Sequence, residues 1–374
     1  MEDMHVVCRD RVAASWEEVN ALYREAAPSL PRAGEKISRP CPLCGATSPK
    51  PIRIQYEFAL ERCSTCRYVF LNGLYEPDIQ QSMDNEFTRW SRVRHGYFCK
   101  HPEAGIIGDF ETEVHYGVLY REVRLILSVL KEIAWNEPRG KTFLDVGCFK
   151  GYSVLAASRI GLDATGIEFD PKRIKFAQSV LGVQITPTLF ENLLAEGRRY
   201  DLVTARHILE HVYDPESFLR KAQALLSDGG KLVILLPNFY GEPMRRMYAE
   251  GIIPGDLTIH HVNYFGVPHV IELVKRAGLS VDFFGSADVN TRISLRRRYG
   301  MGPGFLGVYH PTQGSGTLRY RVGELAKQSV FYPWCRMQTE KLLRTNVVSC
   351  SVSPISETYR DGERGGETCV LASK

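Results

Sequence analysis

The sequence lacks a long apolar run, internal repeats, low-complexity tracts and a strong excess of one charge. No stretch approaches the roughly 18 apolar residues that a membrane-spanning helix requires. The first residues include acidic side chains and no continuous apolar segment, which argues against a secretory signal. Together these absences predict a soluble, cytoplasmic protein that makes no membrane contact.

The charges are nearly balanced, with 47 lysine and arginine residues, 43 aspartate and glutamate residues and a formal net charge of +4. Proteins that bind a phosphate backbone usually carry a larger basic excess. The balance therefore argues against nucleic acid as the main partner and favours a small molecule. An apolar fraction of 44% in 374 residues predicts a full hydrophobic core with one small additional module.

Ten cysteines are present, and some of them form two CxxC pairs. Cys41 and Cys44 make the first pair, Cys63 and Cys66 make the second, and 18 residues separate the pairs. This spacing is typical of two knuckles that close on one tetrahedral zinc ion. Four thiolates leave no open coordination position, so the ion would be structural; a redox-active pair is the alternative. We predict a zinc ribbon over residues 38–75.

The segments on either side of the ribbon are predicted to be helical. Residues 1–37 form an N-terminal helical segment in which a helix is expected from Ser15 to Ala26, with Ser15 as its N-cap. Residues 76–138 are predicted to form a helical cap or linker. Its clearest helix is expected from Val118 to Ala134, where apolar residues recur at helical spacing.

After Pro138, short apolar runs alternate with amphipathic helices, the pattern of parallel βαβ units. We therefore expect a doubly wound α/β fold of Rossmann type, with a seven-stranded, mostly parallel sheet, whose core is residues 139–286. An insertion is expected at 287–366, with one helix near 318–343, and a closing strand at 367–374. The predicted strands are Thr142–Val146, Ala164–Phe169, Val183–Thr186, Tyr200–Ala205, Lys231–Leu236 and Ser280–Gly285. The predicted helices are Tyr152–Ile160, Pro171–Leu181, Glu216–Leu226 and Val267–Ala277.

A glycine-rich turn follows the first of these strands. Residues 143–151, FLDVGCFKG, contain Asp145, Gly147 and Gly151, whereas Phe149 stands where a middle glycine is common. Open α/β sheets bind nucleotide-like ligands at such a turn, since glycine lets the backbone approach the ligand without a Cβ in the way. The sequence therefore predicts a nucleotide-like cofactor at the start of the following helix.

An acidic residue ends the second strand, 23 residues beyond Asp145. A carboxylate at the place of Glu168 can accept hydrogen bonds from both hydroxyls of a ribose, and its neighbour Phe169 can pack on an adenine. Nicotinamide-dependent dehydrogenases are one class of protein that uses such a residue. The turn lacks a full GxGxxG pattern, which disfavours the dehydrogenase.

Three segments in the right order resemble class I S-adenosylmethionine-dependent methyltransferases, over about residues 140–285. They are Leu144-Asp145-Val146-Gly147-Cys148, Leu209-Glu210-His211-Val212-Tyr213-Asp214-Pro215, and Gly229-Gly230-Lys231-Leu232 running to Pro237-Asn238. The resemblance implies that the methionine end of the cofactor lies against Gly147, Cys148 and Gly151, the ribose against Glu168 and the adenine against Phe169. It further implies Thr188 and Leu189 beside the base and Arg206 near the sulfonium.

Histidines cluster near the predicted ligand edge of the sheet. His207, Glu210 and His211 stand at i, i+3 and i+4 after the fourth strand, where a helical turn would project all three from one face. His260 and His261 come later, before the helix that begins at Val267. Because histidine is a suitable base at neutral pH, we predict His207, His211 and His261 as candidate catalytic residues.

Two chemical interpretations of these histidines stay open. The segment 260–265, HHVNYF, resembles the EHLxYF-like segment of deoxysugar C-methyltransferases, which also carry an N-terminal zinc ribbon; this implies His261 as a base that removes a proton beside a carbonyl, assisted by His211. His207-x-x-Glu210-His211 instead resembles the ExxEH metal site of ubiquinone-type and small-RNA O-methyltransferases, with His261 as a further ligand. A second divalent ion there would lower the pKa of the acceptor hydroxyl. A positioning or packing role is the third possibility.

The expected activity is methyl transfer from S-adenosylmethionine to carbon or oxygen of a small biosynthetic acceptor, a sugar nucleotide or a secondary metabolite. The alternative from another class is a non-catalytic adaptor, in which the zinc ribbon binds a protein or nucleic acid and the altered turn at Phe149 holds no cofactor. Binding of S-adenosylhomocysteine distinguishes the two.

Overall fold

The described part of the computed structural model comprises residues 14–15, 21, 23–30, 35–55, 57–79, 82–83, 86, 116–242, 245, 252–253, 261–287, 352–359 and 366–374. Its strands in chain order are β1 (Ala14–Ser15), β2 (Pro49–Gln55), β3 (Phe58–Cys63), β4 (Val69–Asn72), β5 (Thr142–Val146), β6 (Asp163–Ile167), β7 (Ile185–Thr186), β8 (Tyr200–Arg206), β9 (Leu226–Pro237), β10 (Ile252–Ile253), β11 (Asn263–Tyr264), β12 (Ser280–Ala287) and β13 (Glu367–Ser373). The helices are α1 (Tyr116–Glu132), α2 (Tyr152–Ile160), α3 (Pro171–Phe176), α4 (Phe190–Ala195), α5 (Pro215–Leu225), α6 (Val267–Arg276) and α7 (Ile355–Thr358).

The largest sheet has seven strands in the order β12-β13-β9-β8-β5-β6-β7. The strands from β7 to β9 run parallel, whereas β13 is antiparallel to both of its neighbours. This confirms the doubly wound, mostly parallel fold. The closing strand at the C-terminus is inserted between β9 and β12, where its five central residues are buried. The predicted helix near 318–343 lies outside the described residues.

Helices cover both faces of this sheet, because each has one apolar face to bury. One core cluster joins α1 and α2 to buried residues of β5, β8 and β9, and a second joins α4, α5 and α6 to the opposite face. The α1 helix therefore packs on the sheet, with Leu119, Val123 and Ile126 buried, rather than in a separate cap. None of the helices among the described residues is both long and apolar enough to cross a membrane.

Most predicted bounds agree with the structure to within a few residues, but two helices differ. The helix predicted at Pro171–Leu181 is α-helical only to Phe176 and continues as a π-helical turn over Ala177–Leu181. The N-terminal prediction is wrong at Ser15, which is not an N-cap: Ala14–Ser15 pairs antiparallel with Ile252–Ile253. A distant strand segment thus overrides the local capping pattern.

A second sheet carries the CxxC pairs and has the order β11-β4-β3-β2. Three of its strands come from residues 49–72, as the ribbon prediction expected. The fourth, β11, comes from the chain between β9 and α6 and pairs antiparallel with β4, placing Asn263 opposite Phe70 and Tyr264 opposite Val69. The ribbon and the large domain therefore share a sheet.

Candidate functional site

The thiols of Cys41, Cys44, Cys63 and Cys66 come together, with all four sulfur atoms within 4.8 Å of one another. The Sγ atoms of Cys41 and Cys66 are 3.5 Å apart, as are those of Cys44 and Cys63. Each of these two distances joins a cysteine of one knuckle to a cysteine of the other. This is expected when both knuckles bind one tetrahedral ion. The predicted ligand set is thus assembled in space.

The two knuckles have the same backbone shape. Gly45 and Arg67, each directly after the second cysteine of its pair, have positive φ angles of 73° and 64°, and their N–H groups donate to the carbonyls of Cys41 and Cys63. Burial alone would raise the pKa of Cys63, but the backbone N–H groups of Cys66 and Thr65 and the Cys44 thiol lower it to about 6. At Cys63 the backbone therefore favours a thiolate, the form that binds metal, whereas burial raises the pKa of Cys41 and Cys66.

The glycine-rich turn lies between β5 and α2. Gly147 and Gly151 have φ angles of 63° and 81°, a region that glycine adopts without steric cost. A Cβ at Gly147 would lie 2.2 Å from Cδ1 of Ile208, and one at Gly151 would lie 2.9 Å from Cδ1 of Ile185. Glycine is therefore required at both positions by packing within the protein, in addition to the room that a ligand would need.

Phe149 occupies the middle of this turn without filling it. Its φ of 52° is left-handed, and its side chain is 51% exposed. The guanidinium of Arg173 lies 4.4 Å from the centre of its ring, a cation–π distance. Because the ring of Phe149 lies against Arg173 and is half exposed, it does not cover the backbone of the turn.

The side chain of Cys148 is buried in the protein interior. A Cβ on Gly166 would lie 2.6 Å from its sulfur, so the sulfur packs against the neighbouring strand β6. Burial raises the pKa of this thiol above its ordinary value. The surface of the turn is therefore formed by the backbone of Cys148 and not by its side chain. The N–H of Cys148 donates to the carbonyl of Ile167 at 3.0 Å.

Glu168 follows the end of β6 and is 8% exposed. Its Oε1 accepts hydrogen bonds from the backbone N–H groups of Phe169 and Asp170 at 2.8 and 3.1 Å, and Oε2 lies 3.4 Å from Nη1 of Arg173. An ionised carboxylate offers about four lone-pair sites. Glu168 therefore retains capacity to accept from a ribose, and the residues present fit that part of the cofactor.

Apolar side chains stand exposed around Glu168 at the carboxyl ends of the strands. Phe169 is 57% exposed and Leu189 is 53% exposed, whereas Thr188 is buried. The Thr188 hydroxyl accepts a hydrogen bond from the side-chain amide of Asn192 at 3.1 Å. Exposed rings and aliphatic groups are of the kind that packs on a flat purine; contact of Phe169 and Leu189 with the base stays a prediction.

A buried ion-pair network connects the turn to the fourth strand. Arg206, the last residue of β8, contacts Oε2 of Glu122 on α1 and lies 3.5 Å from Oδ2 of Asp145. The Thr204 hydroxyl donates to Oδ1 of Asp145 at 2.6 Å. Burial raises the pKa of Asp145, which Arg206 and Thr204 oppose. Arg206 is thus held by two carboxylates, and sequence reasoning missed Glu122 because its helix was not placed on the sheet.

The predicted helical turn at His207 does not form. His207 has a left-handed φ of 54°, and its side chain lies between two acids: Nδ1 is 3.4 Å from Oε1 of Glu210, and Nε2 is 3.1 Å from Oε1 of Glu367. Burial alone would lower its pKa, but these carboxylates raise it to about 10. Glu367, on the distant strand β13, was not predicted.

A second cluster of metal-binding groups consists of Glu210, His211 and His261, whose ligand atoms lie within 4.8 Å of one another. The rings of His211 and His261 have centres 4.7 Å apart. Glu210 is 2% exposed, and both of its carboxylate oxygens are buried without a hydrogen-bond partner among the described residues. His207, at 3.4 Å from Oε1, is at ion-pair distance. The structure therefore groups Glu210 and His211 with His261 and leaves His207 outside; His260 is not among the described residues.

Backbone contacts hold these two segments together. The N–H groups of Val262 and Asn263 both donate to the carbonyl of Glu210, at 2.8 and 3.1 Å. The side-chain amide of Asn263 donates to the carbonyls of Leu209 and Val212, on either side of the Glu210–His211 pair. No sequence pattern indicated Asn263, since its role depends on a contact between distant segments.

Part of the chain is similar to proteins of known description. Residues 119–282 match the family model described as a methyltransferase domain. A ubiquinone biosynthesis O-methyltransferase from Xanthomonas axonopodis pv. citri is 30% identical over 157 residues, which cover 39% of this chain and 65% of that protein. One of the same description from Cereibacter sphaeroides is 35% identical over 154 residues, 38% of this chain and 61% of that protein. The chain thus spans less than two thirds of the length of these curated relatives.

Among solved structures, a SAM-dependent methyltransferase from Archaeoglobus fulgidus is similar at 14% identity, covering 67% of this chain and 94% of that chain with a TM-score of 0.38. The domain match is consistent with the seven-stranded sheet, since strands β5 to β9 lie within the matched residues. Residues 119–282 therefore form a methyltransferase domain, by the description of the family model that they match.

Proposed function

We propose that the protein transfers the methyl group of S-adenosylmethionine to an oxygen of a small acceptor, at a divalent-metal site formed by Glu210, His211 and His261. The observation that carries the metal site is Glu210, a buried carboxylate whose two oxygens lack hydrogen-bond partners among the described residues. His207 lies 3.4 Å from one of these oxygens and also contacts Glu367, so it compensates the charge of Glu210 only in part; an incompletely compensated buried charge is costly. Two imidazoles within ligand reach make a cation the natural compensation.

The cofactor would lie along the carboxyl edge of the sheet. Glu168 accepts from the ribose hydroxyls, Phe169 and Leu189 cover the base, and the backbone of the turn at Gly147 receives the methionine end. S-adenosylmethionine supplies a methyl group already activated on a sulfonium, so the protein mainly aligns the acceptor and removes its proton. Arg206 adjoins both regions, since it pairs with Asp145 and precedes His207 directly.

The metal site would act on the acceptor. A divalent ion bound there lowers the pKa of a hydroxyl that coordinates it. Three protein ligands leave coordination positions open, as catalytic metal sites require. His207 contacts both Glu210 and Glu367, so we assign it the orientation of Glu210 rather than removal of the proton from the acceptor.

The acceptor class is proposed from the relatives. Proteins named ubiquinone biosynthesis O-methyltransferase methylate oxygen by that description, and a quinone precursor offers ring hydroxyls that a cation acidifies. We propose a hydroxylated aromatic compound or a similarly acidic hydroxyl of a secondary metabolite. The four-cysteine ribbon is proposed to hold one structural zinc ion.

The metal site is tested with zinc-loaded protein titrated with Mn²⁺, followed by electron paramagnetic resonance. We expect one manganese site per chain, and we expect Glu210→Gln to weaken it at least tenfold because it removes the one anionic group among the three proposed ligands. Affinity for S-adenosylhomocysteine, measured by calorimetry, should not change. With catechol as the probe acceptor, transfer should depend on manganese and give an O-methyl product by mass spectrometry.

Glu196→Gln is the matched control, because Glu196 is exposed at the end of α4 and contacts Arg198. It should leave manganese binding unchanged. Unaltered manganese affinity in Glu210→Gln would remove the metal site from the proposal. Absence of S-adenosylhomocysteine binding to the unsubstituted protein would instead favour a non-catalytic adaptor.

A further inference from the structure

Arg39 lies two residues before the first CxxC pair and reaches into the large domain. Its side chain is partly buried and stacks at cation–π distance on two rings, 5.5 Å from Phe70 and 5.4 Å from Tyr213. Its backbone is fixed to the ribbon, because its N–H donates to Oδ1 of Asn72 at 2.8 Å. The guanidinium therefore extends from a rigid base.

The donors of this guanidinium bind both segments that carry the candidate metal ligands. Nη1 donates to the carbonyl of Tyr213 at 2.7 Å, two residues after His211. Nη2 donates to the carbonyl of Val262 at 2.8 Å, directly after His261. A planar guanidinium offers five donors in a fixed geometry, so one side chain sets the spacing of the two carbonyls.

Arg39 also orients the amide that joins these segments. Nη2 lies 3.2 Å from Oδ1 of Asn263, which leaves the amide nitrogen of Asn263 to donate to Leu209 and Val212. The orientation of Asn263 therefore follows from Arg39. The guanidinium and the amide form one network across the two segments.

We infer that Arg39 is a positioning residue for the site of Glu210, His211 and His261, through which the ribbon holds the two ligand segments at the spacing that a cation needs. This inference rests on the proposed function. It gives the ribbon a role in the reaction without placing any ribbon atom in the site. Groups that orient metal ligands typically change metal affinity by about 10- to 100-fold when removed.

The test compares Arg39→Met with the unsubstituted protein, both loaded with zinc. We expect the dissociation constant for Mn²⁺ to rise at least tenfold while zinc content stays the same. Hydrogen–deuterium exchange should become faster in peptides covering 209–213 and 261–264 and stay unchanged at 142–146. Arg39→Lys should recover part of the affinity, because an ammonium can replace one of the bonds.

Arg53→Met is the matched control, since Arg53 is exposed on β2, the outer strand of the ribbon sheet. It should change neither measurement. Unchanged exchange in the two ligand segments, or an unchanged manganese affinity, would overturn the inference. So would loss of zinc with faster exchange across 58–72, because Arg39 would then only support the ribbon. If the unsubstituted protein binds no manganese, the proposed metal function fails by itself, and the exchange data alone decide the role of Arg39.

Discussion

Two non-glycine residues with left-handed backbone stand beside the candidate cofactor and metal sites. Phe149 follows β5 with φ of 52°, and His207 follows β8 with φ of 54°. Such a conformation costs a non-glycine residue roughly 1–2 kcal/mol, so surrounding contacts must maintain it. Arg173 contacts Phe149, and two carboxylates contact His207. Two of the four non-glycine residues with positive φ among the described residues thus stand at the ligand edge of the sheet.

We predict that Glu168→Gln weakens S-adenosylhomocysteine binding about 10- to 100-fold, because hydrogen bonds to a charged acceptor contribute about 1.5–3 kcal/mol. The glutamine side chain keeps one oxygen that can accept the hydrogen bonds donated by the N–H groups of Phe169 and Asp170. The loop after β6 should therefore remain folded. Calorimetry measures the affinity. Glu191→Gln is the matched control, because Glu191 forms an exposed ion pair with Lys221. If Glu168→Gln binds S-adenosylhomocysteine as tightly as this control does, Glu168 is not part of the ribose site.

At the scale of elements, the residue that follows α7 lies directly against the backbone of β12. A Cβ on Gly285 of β12 would lie 1.8 Å from the backbone carbonyl oxygen of Tyr359, directly after α7. The Tyr359 hydroxyl donates to Oε2 of Glu367 at 2.6 Å, so the same contact reaches β13. The absence of a side chain at Gly285 therefore allows the segment 352–359 to pack against the sheet.

Gly285→Ala should destabilise the protein by about 1–3 kcal/mol or more, because a backbone carbonyl must move to admit the methyl group. Gly197→Ala is the matched control: it has φ of 69° and no atom within 4 Å of the added Cβ, so its cost is backbone strain of about 1 kcal/mol. Melting temperatures by differential scanning fluorimetry compare the two. Equal or smaller loss in Gly285→Ala would show that α7 does not pack there.

The shared sheet makes the ribbon part of the large domain. Strand β4 pairs with β11, and buried ribbon residues, among them Tyr68 and Phe70, join the core cluster that contains α5 and α6. A zinc ion bound by the ribbon, as proposed, should therefore affect the stability of the entire protein, since metal binding free energy contributes to folding.

Cys44→Ser tests this with little loss of packing, because Cys44 is exposed. Zinc content by mass spectrometry should fall well below one ion per chain, and the melting temperature should fall by several degrees. Ser64→Ala, in the second knuckle and hydrogen-bonded to the carbonyl of Ser48, is the matched control and should keep its zinc. Full zinc content in Cys44→Ser would contradict a four-thiolate site.

The alternation of strands and helices could be predicted because it follows from local periodicity. Thr142–Val146, Tyr152–Ile160 and the closing strand Glu367–Ser373 form where they were expected. The metal-ligand pairs of the ribbon were predictable for the same reason, since each knuckle is a local structure. Local patterns failed at Ser15 and at His207, where pairing with distant segments decides the backbone.

The sequence by itself determined the order of βαβ units, the glycines of the turn and the two CxxC pairs, because each depends on residues close together in the chain. Only the tertiary structure decided that His261 rather than His207 joins Glu210 and His211, and that Arg39, Asn263 and Glu367 surround them. The separation of Arg39 from Tyr213 is 174 residues. No local periodicity records such contacts, since they exist only after the two sheets have closed on each other.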